Sequence, residues 1–137
     1  MSKPAVLTRA WSIEGFRAFW ARPDPALIER VGEVCTDAIV GYWPRPIGIV
    51  RGAVPYVGVI RALQAACPDL SLTAPDHAVA GDLHFVRWTA TGTGPDGARF
   101  ACHGIDRLRL TPDGRVCENY VCSDGPMFAW AAERLRG

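Results

Sequence analysis

The chain has 137 residues, 49% of them hydrophobic and 21% charged, with a net charge of +1 at neutral pH; such a chain is expected to fold as one soluble globular domain with a real core. Its basic residues are scattered, Arg107 and Arg109 forming the one local cluster, which excludes the charge footprint of a nucleic-acid binder and of a polybasic membrane anchor. The first residues, Met1 to Arg9, lack the apolar core of a secretory leader, and no apolar run reaches membrane-spanning length, so a cytoplasmic home is expected.

The five cysteines, Cys35, Cys67, Cys102, Cys117 and Cys122, include no Cys-x-x-Cys pair and read as small hydrophobes in a reducing compartment. Cys117 and Cys122 have opposite strand parity, so they cannot share a face to hold a metal. Fourteen arginines stand against the single Lys3, and Gln64 and Asn119 are the only side-chain amides. That skew is associated with a GC-rich bacterial genome.

In chain order, Ser12 is placed to cap a helix carrying Ile13, Phe16, Phe19 and Trp20 at helical spacing. Arg22-Pro23-Asp24-Pro25 breaks it. A second helix is predicted from Asp24 or Pro25, with Leu27, Ile28, Val31, Val34 and Cys35 on its apolar face. Two prolines and two glycines make a loop of residues 41–48. Residues 52–66 read as a third helix, stopped by Pro68. Leu70, Leu72 and Ala74 alternate as a strand, and Leu83–Thr93, Arg99–Leu110 and Arg115–Ser123 continue as a meander. Gly94-Pro95-Asp96-Gly97 and Thr111-Pro112-Asp113-Gly114 are its turns, closed by glycines that supply positive φ. Met127 to Leu135 looks helical. Helices followed by antiparallel strands argue for an α+β fold, with the helices on one face of a curved sheet. One domain over residues 1–137 is expected, with a core of about 12–125 and a terminal segment 126–137.

Asp106 is the residue hardest to place. A carboxylate amid Ile105, Leu108 and Leu110 is costly to bury as a charge, so it must be exposed, paired, or kept protonated in a pocket. The run Gly104-Ile105-Asp106-Arg107-Leu108-Arg109-Leu110, its Pro-Asp-Gly turn, and then Arg115-Val116 with Glu118 and Tyr120 resemble the SnoaL-like branch of the nuclear-transport-factor-2-like superfamily. That superfamily includes polyketide cyclases, ketosteroid isomerases, limonene epoxide hydrolases and scytalone dehydratases. The resemblance spans about residues 12–125. It implies a cone-shaped α+β barrel with a pocket between N-terminal helices and a curved antiparallel sheet.

Strand parity sorts the candidates for that pocket. On the Arg99–Leu110 strand, Phe100, Cys102, Gly104, Asp106, Leu108 and Leu110 share the face expected toward the helices, and His103, Ile105, Arg107 and Arg109 the other. In the ketosteroid isomerases, the aspartate of a similar Ile-Asp stretch stays protonated and helps form an oxyanion hole; that position here is Asp106. On the last strand, Asn119 and Val121 are expected inward. On the Leu83–Thr93 strand, Phe85, Arg87 and Thr89 are expected inward, and His84, Val86 and Trp88 outward.

The resemblance also shows departures. The polyketide cyclases carry a catalytic aspartate seven residues after the turn glycine, where this chain has Val121. The epoxide hydrolases pair an arginine with an aspartate two residues on; Arg87 matches the first and Thr89 replaces the second. The ketosteroid isomerase base would fall near Tyr42 and Trp43, and its hydroxyl partner near Phe16 or Phe19, with no tyrosine there.

The resulting expectation is a cofactor-independent isomerase, cyclase or hydratase-type enzyme acting on a small hydrophobic molecule, with Asp106, Arg87 and Asn119 as catalytic residues. Trp20, Tyr42, Trp43, Phe85, Thr89, Phe100 and Val121 would bind the ligand. No metal or cofactor is expected, since no phosphate loop, dinucleotide fingerprint or metal-ligand spacing occurs. The alternative is a binding or accessory protein of the same fold without chemistry. His77, His84 and His103 read as surface or interface residues. A homodimer is expected through the outer sheet face, on which His84, Val86, Trp88, Tyr120 and Cys122 would gather apolar area.

Overall fold

The computed structural model describes residues 10–137; the reading of Met1–Arg9 as free of an apolar leader lies outside them. Ser12 caps α1 (Ile13–Ala21), its Oγ accepting from the Gly15 amide at 3.0 Å. The predicted second helix is cut short. Only α2 (Pro25–Ile28) is α-helical, and a 3₁₀ turn spans Val31–Val34. Cys35 then begins a strand that the helical spacing had hidden, β1 (Cys35–Trp43). The expected loop shrinks to the turn joining β1 to β2 (Gly48–Arg51).

Helix α3 (Ala53–Ala66) follows and buries Tyr56, Val57, Val59, Ile60 and Leu63. Four long strands succeed it: β3 (Ser71–Ala80), β4 (Leu83–Thr93), β5 (Arg99–Leu110) and β6 (Val116–Ser123). Helix α4 (Met127–Arg136) closes the described chain and turns Met127, Phe128, Ala131 and Ala132 into the core. Gly114, at φ 86°, sits in the β5–β6 turn as expected.

The six strands form one curved sheet in the order β2-β1-β6-β5-β4-β3. All neighbours are antiparallel except β1 against β6, which run parallel. The core lies between the concave face and the helices, with Ile39, Val86, Trp88, Leu108 and Val116 contributed by the sheet. Side chains from the first helix tie it to the edge strand: Arg17 Nε donates to the Ala74 carbonyl at 2.9 Å. Pro75 lies where the β3–β4 register shifts, between Thr73 and Asp76. An edge strand and a bulge are where a strand proline fits, and the extra residue turns His77 rather than Asp76 toward the inside.

Register corrects the sequence reading of β4. Thr93 pairs with Arg99, and from there Trp88 pairs with Gly104, Val86 with Asp106 and His84 with Leu108. Directly paired residues share a face, so the even-numbered residues of both strands point inward together. His84, Val86 and Trp88 therefore face the helices, and Phe85, Arg87 and Thr89 face out. The parity expected for β5 and β6 is the one observed: Gly104, Asp106 and Leu108 point in with Asn119 and Val121, while His103, Ile105 and Tyr120 are exposed.

Candidate functional site

Asp106 sits mid-sheet, flanked by Val86 on β4 and Val121 on β6. Its carboxyl is reached along both diagonals of the inner face. From one side Trp88 Nε1 donates to Oδ1 at 2.8 Å; from the other Asn119 Nδ2 donates to Oδ2 at 3.2 Å. Asn119 is in turn held by α3, since Tyr56 Oη donates to its Oδ1 at 2.6 Å. The chain Tyr56–Asn119–Asp106–Trp88 thus links a helix and three strands. Both amide ends of Asn119 are used, which fixes its orientation.

Gly104 makes the Trp88 contact possible. A Cβ there would lie 2.4 Å from the indole ζ2 carbon and 2.7 Å from the Cys122 carbonyl oxygen, so only a glycine lets the ring lie flat across β5. Asp106 is 8% exposed, and Asn119 and Trp88 still less. Burial pushes the Asp106 carboxyl up to about 6, against the two hydrogen bonds, which favour the charged form. Burial also raises the Tyr56 hydroxyl well above its ordinary value, helped by the nearby Cys35 and Asp106. It drives the Cys35 thiol up to about 12, with Arg115 acting in the opposite sense. Tyr56 and Cys35 therefore keep their protons at neutral pH, while Asp106 changes charge just below it.

These groups border a cavity of about 480 Å³ between the sheet and the helices. Its walls are mainly apolar, with Phe16, Phe19 and Trp20 from α1, Trp43 from β1, Ile60 and Leu63 from α3 and Phe128 from α4. Arg30 and Glu33, an exposed pair 3.5 Å apart, also border it. A cavity of this size, apolar with a few convergent polar groups, is the form of a small-molecule site. Trp43 Nε1 is buried without a hydrogen-bond partner among the described residues.

The residues predicted from sequence divide sharply. Asp106, Asn119, Trp20, Trp43 and Val121 all line the cavity. Arg87 does not: it points outward and pairs with Asp76 at 2.6 Å. Thr89 bonds Thr73 on the same outer face, oxygen to oxygen at 2.7 Å, and Phe85 is exposed there. Tyr42 turns outward as well and stacks on Tyr120, ring centroids 5.1 Å apart. Phe100 faces inward but packs against Trp130 at 5.5 Å and is not part of the cavity wall. Trp88 and Tyr56, neither of them predicted as site residues, supply two of the three hydrogen bonds in the network.

His84 comes to the inner face, where its Nδ1 lies 2.9 Å from His77 Nε2 and both rings meet Trp11 edge-on. Burial, then His77, lowers the His84 pKa. His103 stays exposed on the outer face. Among the described residues no three His, Cys, Asp or Glu side chains converge as a metal ion requires, and no helix is long and apolar enough to cross a membrane.

Helices packed on a curved sheet here enclose an apolar cavity faced by an acid from β5, and the SnoaL-like domain family matches residues 13–119 of the chain. The chain belongs to that family. Solved structures of low identity share this SnoaL-like fold. IdmH from Streptomyces antibioticus, described as a candidate polyketide cyclase, is 24% identical, with a TM-score of 0.69 over 88% of this chain and 95% of its own. A candidate SnoaL-like polyketide cyclase from Jannaschia sp. CCS1 is 16% identical, with a TM-score of 0.71 over 90% of each chain. A protein of ketosteroid isomerase-like fold from Catenulispora acidiphila DSM 44928, solved in complex with trimethylamine, is 15% identical, with a TM-score of 0.67 over 88% of this chain and 86% of its own. At these identities the likeness establishes the fold. No curated protein matches the chain.

Proposed function

We propose that this SnoaL-like protein is a cofactor-independent enzyme that moves a proton on a small hydrophobic molecule held in the cavity, in an isomerisation, cyclisation or hydration. The observation that carries this reading is Asp106: a buried acid with a pKa of about 6, facing an apolar cavity and fixed by Trp88 and Asn119. A group whose pKa lies near the working pH exchanges protons most effectively. Two donors on the carboxyl favour its anion, so Asp106 acts as the base. Asn119 and Trp88 are positioning residues. Relatives that are candidate polyketide cyclases, and one solved in complex with trimethylamine, support a small organic ligand.

The test is turnover of a panel of enones, epoxides and polyketide mimics by wild type and by Asp106→Asn and Asp106→Ala. Loss of most turnover in both folded variants is expected, since removing a general base typically costs ~10²–10⁴-fold. Unchanged turnover in Asp106→Ala would refute the assignment.

A second reading, ligand binding without chemistry, is favoured by one specific observation. The other acids that the family's enzymes use are replaced by Val121 and Trp43, both in the cavity wall. Binding of panel members with no turnover by wild type would select it.

We further propose a homodimer through the outer sheet face, supported by exposed Phe85, Ile105 and Tyr120 rather than by His84, Val86 and Trp88, which point inward. A cytoplasmic setting is supported by free, buried Cys35 and Cys67, which suit a reducing compartment.

A further inference from the structure

The hydrogen-bond donors on Asp106 are both neutral, an indole and an amide. Among the described residues no arginine, lysine or histidine pairs with it. Buried carboxylates are ordinarily matched by a cation or kept protonated, and this one, at about 6, is largely ionised at neutral pH. The charge therefore stands uncompensated beside the cavity. Around it the wall is aromatic. Trp88 touches the carboxyl, Tyr56 lies one hydrogen bond away, and the Trp43 ring is 5.3 Å from Tyr56 and 6.5 Å from Phe128. Ring faces carry partial negative charge and attract organic cations, most strongly when desolvated.

We propose that the cavity takes a hydrophobic ligand carrying a cationic nitrogen, an alkylated ammonium that sits against Asp106 within the Trp88, Tyr56 and Trp43 rings. This rests on the reading of the cavity as a small-molecule site and names the chemistry of its occupant. The nitrogen supplies the missing counter-charge, and an N–H, where the amine has one, donates to a carboxylate lone pair that Trp88 and Asn119 leave open. The apolar body of the ligand fills the space toward Phe16, Trp20 and Leu63. A neutral ligand of the same shape makes the apolar contacts and leaves the charge unmatched.

The experiment compares two probes of the same shape, benzyldimethylammonium and isobutylbenzene, by calorimetry and by shifts of the indole N–H signals. For wild type near pH 7.5 the ammonium binds tighter by roughly tenfold or more, the order expected of a desolvated cation among aromatic rings. Asp106→Asn removes most of that preference and leaves isobutylbenzene affinity within about twofold, because the side-chain volume is unchanged. Lowering the pH to about 5 protonates Asp106 and shrinks the preference in wild type but not in the variant.

The groups around the carboxyl support this assignment of the pH effect. Tyr56 from α3 and Cys35 from β1 hold their protons throughout. Arg30 and Glu33 pair with each other where the 3₁₀ turn borders the cavity, and the imidazoles of His77 and His84 touch each other and Trp11. Asp106→Asn controls for all of them.

Equal affinity for the two probes in wild type, or a preference that survives Asp106→Asn, overturns the cationic ligand while the small-molecule cavity stands. Failure of both probes to bind overturns the cavity reading and this inference together.

Discussion

Replacing Asp106 by asparagine removes a buried charge at nearly constant shape, and its effect on stability follows from the site. The carboxyl is raised from 3.8 to about 6, roughly 2 units at ~1.4 kcal/mol each, so ionisation costs the fold ~3 kcal/mol. The sign is the reverse of the usual one for an acid. Between pH ~4 and ~6 the native state keeps a proton that the unfolded chain has released, so this group's contribution falls as pH rises through that window and stays low above it.

The asparagine variant has no such slope. Its new amide oxygen still accepts from Trp88. Its NH₂ then faces Asn119 Nδ2, so Asn119 turns over, and its Nδ2 donates to Tyr56 Oη, which accepts instead of donating. The Tyr56 proton loses its partner, at ~1 kcal/mol. Asp106→Asn is therefore expected to be ~2 kcal/mol more stable than wild type near pH 7.5 and about 1 kcal/mol less stable near pH 3, below the ordinary carboxylate value. Urea denaturation of both proteins at the two pH values measures the difference of differences, in which the other titrating groups cancel. A stability difference that is flat across pH refutes the reasoning. A gain in stability with a loss of function is the trade expected where a site holds a strained charge.

The remaining expectations use the same network. Gly104→Ala drives a methyl into the Trp88 ring and the Cys122 carbonyl, so it should cost ~1–3 kcal/mol and shift the near-ultraviolet circular dichroism as the indole moves. Tyr56→Phe leaves the buried Asn119 Oδ1 without its donor, which should lower the urea midpoint by the equivalent of ~1–2 kcal/mol; an unchanged midpoint means that Asn119 has another partner. Tyr120→Glu charges the exposed aromatic on the outer face and should give a monomer in sedimentation if copies pair there, with the cavity side chains undisturbed.

Much of the fold was readable because local signals agreed with the final structure. Ser12 caps, Pro68 stops a helix, and the Pro-Asp-Gly turn sets β5 against β6, so Asp106 and Asn119 fall on one face. The chain fails to announce β1 because Leu27, Ile28, Val31, Val34 and Cys35 continue a helical spacing. Its strand character comes from β6, distant in sequence, which pairs with it in parallel. The faces of β4 were ambiguous for a different reason. Leu83 and Phe85 are as apolar as Val86 and Trp88, so alternation alone does not say which set is inside. The pairing of Thr93 with Arg99 decides it, and it places Arg87 in water and Trp88 on the carboxyl. Tyr56 carried no signal at all. It lies on a helix whose apolar face is broad, and its reach to Asn119 depends on how α3 crosses the sheet.

The proposed chemistry depends on one acid, Asp106, tuned close to neutrality by burial. A ¹³C NMR titration of the Asp106 side-chain carboxyl in the wild-type protein measures this directly. An inflection near 6 is expected, moved upward when Trp88→Phe removes the donor that favours the anion. An inflection in the ordinary carboxylate range near 3.8, unaffected by Trp88→Phe, contradicts it.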